Sequence, residues 1–159
     1  MAIRTGDTAT GFTLPVRPGE TVDVGSHIGS DKVVLLFFPL SFSPVCTDEF
    51  CTIRDDWSAY ADLGAQVFGI SIDSPFVTAK FAEDLELPFP LVSDMNRDVA
   101  REWDVLHDDL FGMKDVAKRA AFVIDESGTV VYDSVSDDPK IQVDFDAIRA
   151  ALGSGSAVG

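Results

Sequence analysis

A chain of 159 residues that is 46% hydrophobic and 10% aromatic is long enough for one domain with a substantial core, and too apolar for a disordered polymer. Its 12 basic and 27 acidic residues give a formal net charge of −15, a field that repels polyanions and argues against nucleic-acid or anionic-lipid partners. No apolar run approaches the roughly 20 residues that cross a bilayer, and the amino terminus lacks the apolar core of a secretory signal, so no membrane partner and a cytoplasmic location are expected.

Residues 11–15 and 20–24 alternate apolar and polar side chains about the turn Arg17-Pro18-Gly19, the pattern of an N-terminal β-hairpin. Residues 33–38 form a continuous apolar run, as expected of a central strand covered on both faces, and lead through Pro39 to the cysteines. Beyond Thr47 the period changes. Phe50, Ile53, Trp57 and Tyr60 recur every three to four residues, with Asp48 and Glu49 in the first turn and Gly64 at the end, which predicts an amphipathic helix opening at Cys46. Residues 66–72 then read as a second buried strand, 75–85 as a helix, 89–92 as a short strand and 97–103 as a further helix. Residues 120–124 and 129–132 about a turn at 125–128 predict a second hairpin, and 143–152 a closing helix. The order predicts a single α/β domain over residues 1–152, a central mixed β-sheet flanked by helices on both faces, with 153–159 as a flexible C-terminal tail. The acidic residues are spread through every segment, which suits a high-salt cytoplasm where screening relieves self-repulsion.

Cys46 and Cys51 are the only cysteines, too few for the disulfide framework of a small secreted domain, so in a reducing cytosol they are expected to be reactive. The thiolate is the nucleophile of cysteine chemistry, and helix amino termini and neighbouring cations favour it. Cys46 meets the first condition. Pro39 and Pro44 bracket its approach and restrict the loop backbone, and Ser43 brings a hydroxyl three residues before the sulfur. Phe38, Phe42, Phe50 and Trp57 are read as core and pocket wall. His27 and His107 could complete a Cys2His2 set with the cysteines, but they lack the close ligand pairs of a zinc site, so no metal or other cofactor is expected.

The segment Pro39-Leu-Ser-Phe-Ser-Pro-Val-Cys46 resembles the signature of the peroxiredoxin family, in which a proline is followed by Thr or Ser and then by the peroxidatic cysteine. Cys46-Thr-Asp-Glu49 resembles the start of that family's active-site helix, and Lys118-Arg-Ala-Ala-Phe-Val-Ile-Asp125 the strand that brings its arginine to the sulfur. With the apolar strand before Pro39, residues 69–74 and the 125–128 turn in the same order, the resemblance covers residues 3–152. It implies a thioredoxin-like fold and a cofactor-free thiol peroxidase acting on hydrogen peroxide and organic hydroperoxides. By the resemblance Cys46 is oxidised to a sulfenic acid while Ser43, Arg119 and the loop amides polarise the O–O bond, and Glu49 helps to position the arginine. A thioredoxin-like or low-molecular-weight thiol would recycle the enzyme, and a monomer or a homodimer fits the family. Adjacent strand residues point to opposite faces, so only one of Lys118 and Arg119 can face the site. Ser43 departs from the more usual threonine and loses the methyl group that restricts its rotamers.

Cys51 resembles the resolving cysteine of the subgroup called bacterioferritin comigratory protein or peroxiredoxin Q. Residues five apart in a helix have Cα atoms roughly 8 to 9 Å apart, beyond the ~7 Å reach of a disulfide, so this role requires the first turns to unwind. The residues leave other readings open. Cys51 could be a small buried side chain in an enzyme of the one-cysteine group, resolved by an external thiol. A thiol-disulfide oxidoreductase on the same fold would normally carry Cys-x-x-Cys, and a redox-sensing binding module would consume one equivalent of peroxide and stop.

Overall fold

In the computed structural model, which describes the backbone of residues 2–158 and the side chains of residues 2–153, the chain opens with an antiparallel hairpin of β1 (Thr13–Arg17) and β2 (Glu20–Asp23). Gly19 takes φ 81° in its turn, a conformation that side chains with a Cβ rarely adopt. A five-stranded sheet follows, built from β3 (Lys32–Phe37), β4 (Ala65–Ser71), β5 (Leu91–Ser93), β6 (Arg119–Ile124) and β7 (Val130–Ser136). Its order is β5-β4-β3-β6-β7, with β3–β4 and β4–β5 parallel and β3–β6 and β6–β7 antiparallel. This is the mixed sheet with an N-terminal hairpin that the sequence predicts.

Every residue of β3 and of β6 is buried, so their side chains alternate between two cores. Val33, Leu35 and Phe37 join Ala120, Phe122 and Ile124 on one face, where α4 (Asp98–Glu102) and the hairpin cover them. There Phe122 meets Phe37 at 5.8 Å and Trp103 at 4.9 Å in edge-on contacts, and burying each such ring contributes about 1.5–3 kcal/mol. Val34 and Leu36 join Ala121 and Val123 on the other face, beneath α1 (Pro44–Asp55), α2 (Trp57–Ala61), α3 (Pro75–Asp84) and α5 (Phe145–Val158). Helices thus flank both faces, and among the described residues none is long and apolar enough to cross a membrane.

The differences from the sequence reading are local. The single helix expected from Cys46 to Gly64 starts earlier, at Pro44, and breaks at Asp56, whose backbone leaves helical geometry (φ −114°, ψ 28°). Proline suits the first helical position because its missing N–H would have no intrahelical acceptor there. Aspartate weakens a helix interior because its carboxylate competes for backbone donors. Asp48 and Glu49 therefore lie beyond the first turn. β7 continues to Ser136 and α5 to Val158, which takes helical backbone into the segment assigned to the tail; Gly159 lies outside the described residues. Residues 106–117, which carry no clear periodicity, form an excursion closed by bridges from Leu106 to Ala117 and from Leu110 to Met113.

Candidate active site

Strand β3 delivers the chain to the site. The N–H of Phe38 still donates to the Ile70 carbonyl at 2.9 Å, but Pro39 has no N–H to offer and the ladder stops there. Three residues later Phe42 takes a left-handed backbone (φ 69°), and Ser43 returns to extended geometry as the N-cap of α1. The Ser43 hydroxyl does not cap the helix; it donates to the Leu40 carbonyl at 2.8 Å, closing the loop on itself. The Thr47 N–H donates to the Ser43 carbonyl, which begins the helical ladder. Cys46 is thus the third residue of α1, inside the turn whose amides lack intrahelical acceptors and favour negative charge.

Cys46 is fully buried, and its sulfur is not alone. Arg119 opens β6 on the same alternation as Ala121 and Val123, which turns it toward α1. Its Nη2 lies 3.3 Å from Cys46 Sγ and 3.0 Å from the Pro139 carbonyl, and its Nη1 donates to Glu49 Oε1 at 2.6 Å. Glu49 stands one turn after Cys46 on the same helical face. Arg119 is 2% exposed and Glu49 0%. Burial pushes the Glu49 carboxyl up to about 7, against the opposing pull of the Arg119 guanidinium. Among the described residues Glu49 Oε2 and Arg119 Nε have no protein partner, so the pair is only partly satisfied. Lys118 points away, to an ion pair with Asp137 at 2.7 Å on the surface.

Pro39, Ser43 and Arg119 also line one cavity of about 190 Å³, whose other walls include Leu40, Leu110, Phe111 and Pro139. Its lining is mostly apolar, and Arg119 belongs both to its wall and to the sulfur contact. Cys51 is half-buried further along α1, and both cysteines are free thiols. Four of the five predicted site residues, Pro39, Ser43, Cys46 and Arg119, are therefore gathered at this one place, while Cys51 is held a turn and a half along the helix. A larger cavity of about 470 Å³ beside α3 and β5 contains no cysteine.

Several neighbours carry no signal in the sequence. The Pro139 carbonyl belongs to a segment that reads as turn chemistry, and the Gln142 amide reaches from the same connection to the Val45 carbonyl at 3.1 Å. Leu110 and Phe111 come from the excursion that periodicity does not reveal. Phe38 and Phe50 are buried in edge-on contact at 4.8 Å, as expected of core. Phe42 corrects the core reading: it is 51% exposed and rests on Phe81 from outside, because its left-handed backbone turns it away from the sheet. His27 pairs with Asp31, His107 is buried apart from the cysteines, and among the described residues no group of three metal-ligating side chains assembles.

Residues 5–133 match the AhpC/TSA family. The putative peroxiredoxin bcp of Coxiella burnetii is 38% identical over 148 residues, spanning 91% of this chain and 93% of that protein. The chloroplastic peroxiredoxin Q of Triticum aestivum is 39% identical over 127 residues, which are 80% of this chain and 57% of the wheat protein. Among solved structures, the peroxidoxin BcpB of Mycobacterium tuberculosis superposes with a TM-score of 0.82 at 34% identity, covering 99% of both chains. A peroxiredoxin Q of Xanthomonas campestris gives 0.76 at 27% identity over 90% of each chain.

Proposed function

Because this chain belongs to the AhpC/TSA family, in the bacterioferritin comigratory protein and peroxiredoxin Q group, it is a thiol peroxidase of thioredoxin-like fold, and we propose how its own residues divide that work. The Cys46 thiolate attacks the terminal oxygen of a hydroperoxide ROOH. The S–O bond forms as the O–O bond breaks, sulfur is oxidised to sulfenic acid, and the departing oxygen leaves as ROH once protonated. Arg119 donates toward the sulfur and stabilises the charge developing on the two oxygens during transfer, alongside the first-turn amides of α1 and the Ser43 hydroxyl once it turns from the Leu40 carbonyl to the substrate. Pro39 ends the strand so that the loop can turn back over the sulfur. The observation that carries this reading is the guanidinium within 3.3 Å of a fully buried thiol at a helix amino terminus.

Cys51 then attacks the sulfenic sulfur, water leaves, and an intramolecular disulfide forms that a thioredoxin-like dithiol reduces. This step requires the first turns of α1 to unwind, since helical geometry holds the two Cα atoms roughly 8 to 9 Å apart. The test is peroxide consumption with an added thiol donor by wild type, Cys46→Ser and Cys51→Ser, with mass spectrometry after one equivalent of peroxide. Loss of activity in Cys46→Ser is expected, with a mass loss of two hydrogens in wild type and a sulfenic or thiol-adduct form in Cys51→Ser. A sulfenic acid that persists in wild type would remove Cys51 from the cycle and make an external thiol the resolving group.

The net charge of −15 supports a high-salt cytosol as the working environment. On that reading the melting temperature rises between low and molar salt; one that stays flat removes it.

A further inference from the structure

The active-site loop is held from outside the residues that its function uses. Between Pro39 and Ser43 the chain must reverse, and it does so with phenylalanine in the left-handed region, where a Cβ-bearing residue is strained. Such a conformation persists only when its surroundings fix it. Within the loop, the Ser43 N–H and hydroxyl both reach the Leu40 carbonyl, so Ser43 itself is set by the turn. The hydroxyl of Ser41 is buried with no partner among the described residues, so that side chain does not hold the loop.

What holds it is the segment after β4. The Ser41 N–H donates to Asp73 Oδ2 at 2.7 Å, and the Ser71 hydroxyl donates to the same oxygen at 2.8 Å. Asp73 is fixed in turn from both sides: its N–H donates to Ser71 Oγ, and the Ser93 hydroxyl of β5 donates to its carbonyl at 2.6 Å. Ser71 is 0% exposed and Ser93 2%, so this anchor is part of the rigid sheet end. A second clamp lies one residue along, where the Phe42 ring packs on Phe81 of α3 at 4.9 Å.

We propose that Asp73 is a positioning residue for peroxide reduction: its carboxylate holds the Ser41–Ser43 segment in the left-handed turn at Phe42, and so sets where Ser43 and the first turn of α1 stand relative to Cys46. The inference rests on the reading that Ser43 and the loop donors act in the oxygen-transfer step. Asp73 touches neither sulfur nor substrate; it acts through the backbone it fixes. A misplacement of about an ångström in such donors is enough to slow the step by up to about 100-fold.

The test is the second-order rate constant for Cys46 oxidation by hydrogen peroxide, measured by quenched flow with mass detection under single turnover. This readout depends on neither Cys51 nor a reductant. Asp73→Ala is expected to slow the reaction by about 10- to 100-fold. Asp73→Asn, whose one carbonyl oxygen can accept both bonds, is expected to retain most of the rate, which a role resting on the carboxylate's charge would not allow. Asp73→Glu keeps the charge but moves the acceptor by one methylene, and is expected to be slow; it carries the test if Asp73→Ala fails to fold.

Phe42→Gly separates positioning from simple stabilisation, because glycine adopts positive φ without strain. If Asp73 acts by enforcing that turn, the Asp73→Ala and Phe42→Gly losses do not multiply, and the double variant reacts within about threefold of Phe42→Gly alone. Losses that multiply overturn the inference, as does an Asp73→Ala or Asp73→Glu protein that reacts within about twofold of wild type. Ser43→Ala keeps the two readings apart: if it reacts like wild type, the assignment of Ser43 fails on its own account and Asp73 is judged by its own rate.

Discussion

The two faces of the central sheet are packed from the same two strands, yet only one of them buries an ion pair against a sulfur. On one face Phe37, Phe122 and Trp103 interlock with aliphatic neighbours, and the charged groups that reach it, Arg4 over the Phe122 ring and Asp94 on the amides of Val99 and Ala100, bond to rings and backbone rather than to each other. On the other face the same strands present Leu36, Ala121 and Arg119, and the cluster includes the Cys46 sulfur beside a buried glutamate. An ion pair taken out of water is at best weakly stabilising, and hydrophobic residues of similar volume often serve as well or better. The fold therefore does not require a buried ion pair, and the pairing of Arg119 with Glu49 beside the sulfur is explained by chemistry rather than by stability.

The sharpest way to break this comparison is to remove the charge and keep the volume. Arg119→Met is expected to lower the rate of Cys46 oxidation by about 10²- to 10³-fold, the scale seen when one preorganised donor is lost from an active site. Its stability should change far less than its activity in acid, where the orphaned Glu49 can take up a proton. A quenched-flow rate constant together with a denaturant titration gives both numbers, and a variant that loses stability but reacts normally would make Arg119 a structural residue only.

The opposite face supplies the converse. Trp103→Ala, which removes a fully buried indole in contact with Phe37 and Phe122, is expected to lose about 3–5 kcal/mol in denaturant unfolding. The rate constant per folded molecule should stay at the wild-type value. A slowed reaction in the folded protein would mean that the two faces are coupled through β3 and β6, and that the division drawn above is too clean.

This division was only partly legible beforehand. The run at 33–38, the change of period after Thr47 and the final hairpin are local signals, and each corresponds to an element of the sheet or its helices. The alternation that separates Lys118 from Arg119 is local too, because it needs only the pleat of a strand. What the sequence withholds is nonlocal. Nothing near Pro139 or Gln142 marks them as neighbours of Arg119 and of the first turn of α1, since only the folded path from β7 to α5 brings them there. Asp73 looks like an ordinary turn residue until β4 and the loop after Pro39 are seen ending side by side. The break at Asp56 escaped for a different reason. The apolar spacing of Phe50, Ile53, Trp57 and Tyr60 runs through it, and periodicity reports which face is buried but not whether the backbone is continuous.

Glu49 sharpens the comparison through pH. Its carboxyl rises from 4.5 to about 7 on folding because burial disfavours the charged form more than Arg119 favours it. A raised folded value in an acid means that the protonated form is the one the fold prefers. The contribution is fully present below 4.5 and is lost as pH climbs through about 7. Across that interval it amounts to at most about 3 kcal/mol. Glu49→Gln keeps the shape without the titration, so its stability relative to wild type is expected to rise between about pH 5 and about pH 8, by up to that amount. Denaturant titrations of both proteins at the two pH values measure it. A difference that stays constant with pH would mean that Glu49 is ionised throughout and fully compensated by Arg119.

The smallest expected effect comes from the residue next to Arg119. Lys118 carries the same charge one position earlier, but it lies outside β6 and pairs with Asp137, whose carboxylate is 90% exposed. That hydrogen bond holds the Asp137 carboxyl below its ordinary range, so any contribution would be present at neutral pH and lost as pH falls. Solvent screening around so exposed a carboxylate leaves little for the pair to contribute. Lys118→Ala is accordingly expected to leave both the oxidation rate and the melting temperature close to wild type. If instead it slows Cys46 oxidation as Arg119→Met does, then net positive charge near the site matters more than a donor in contact with the sulfur. The pleat of the strand would then no longer explain why one cation of two adjacent ones serves the chemistry.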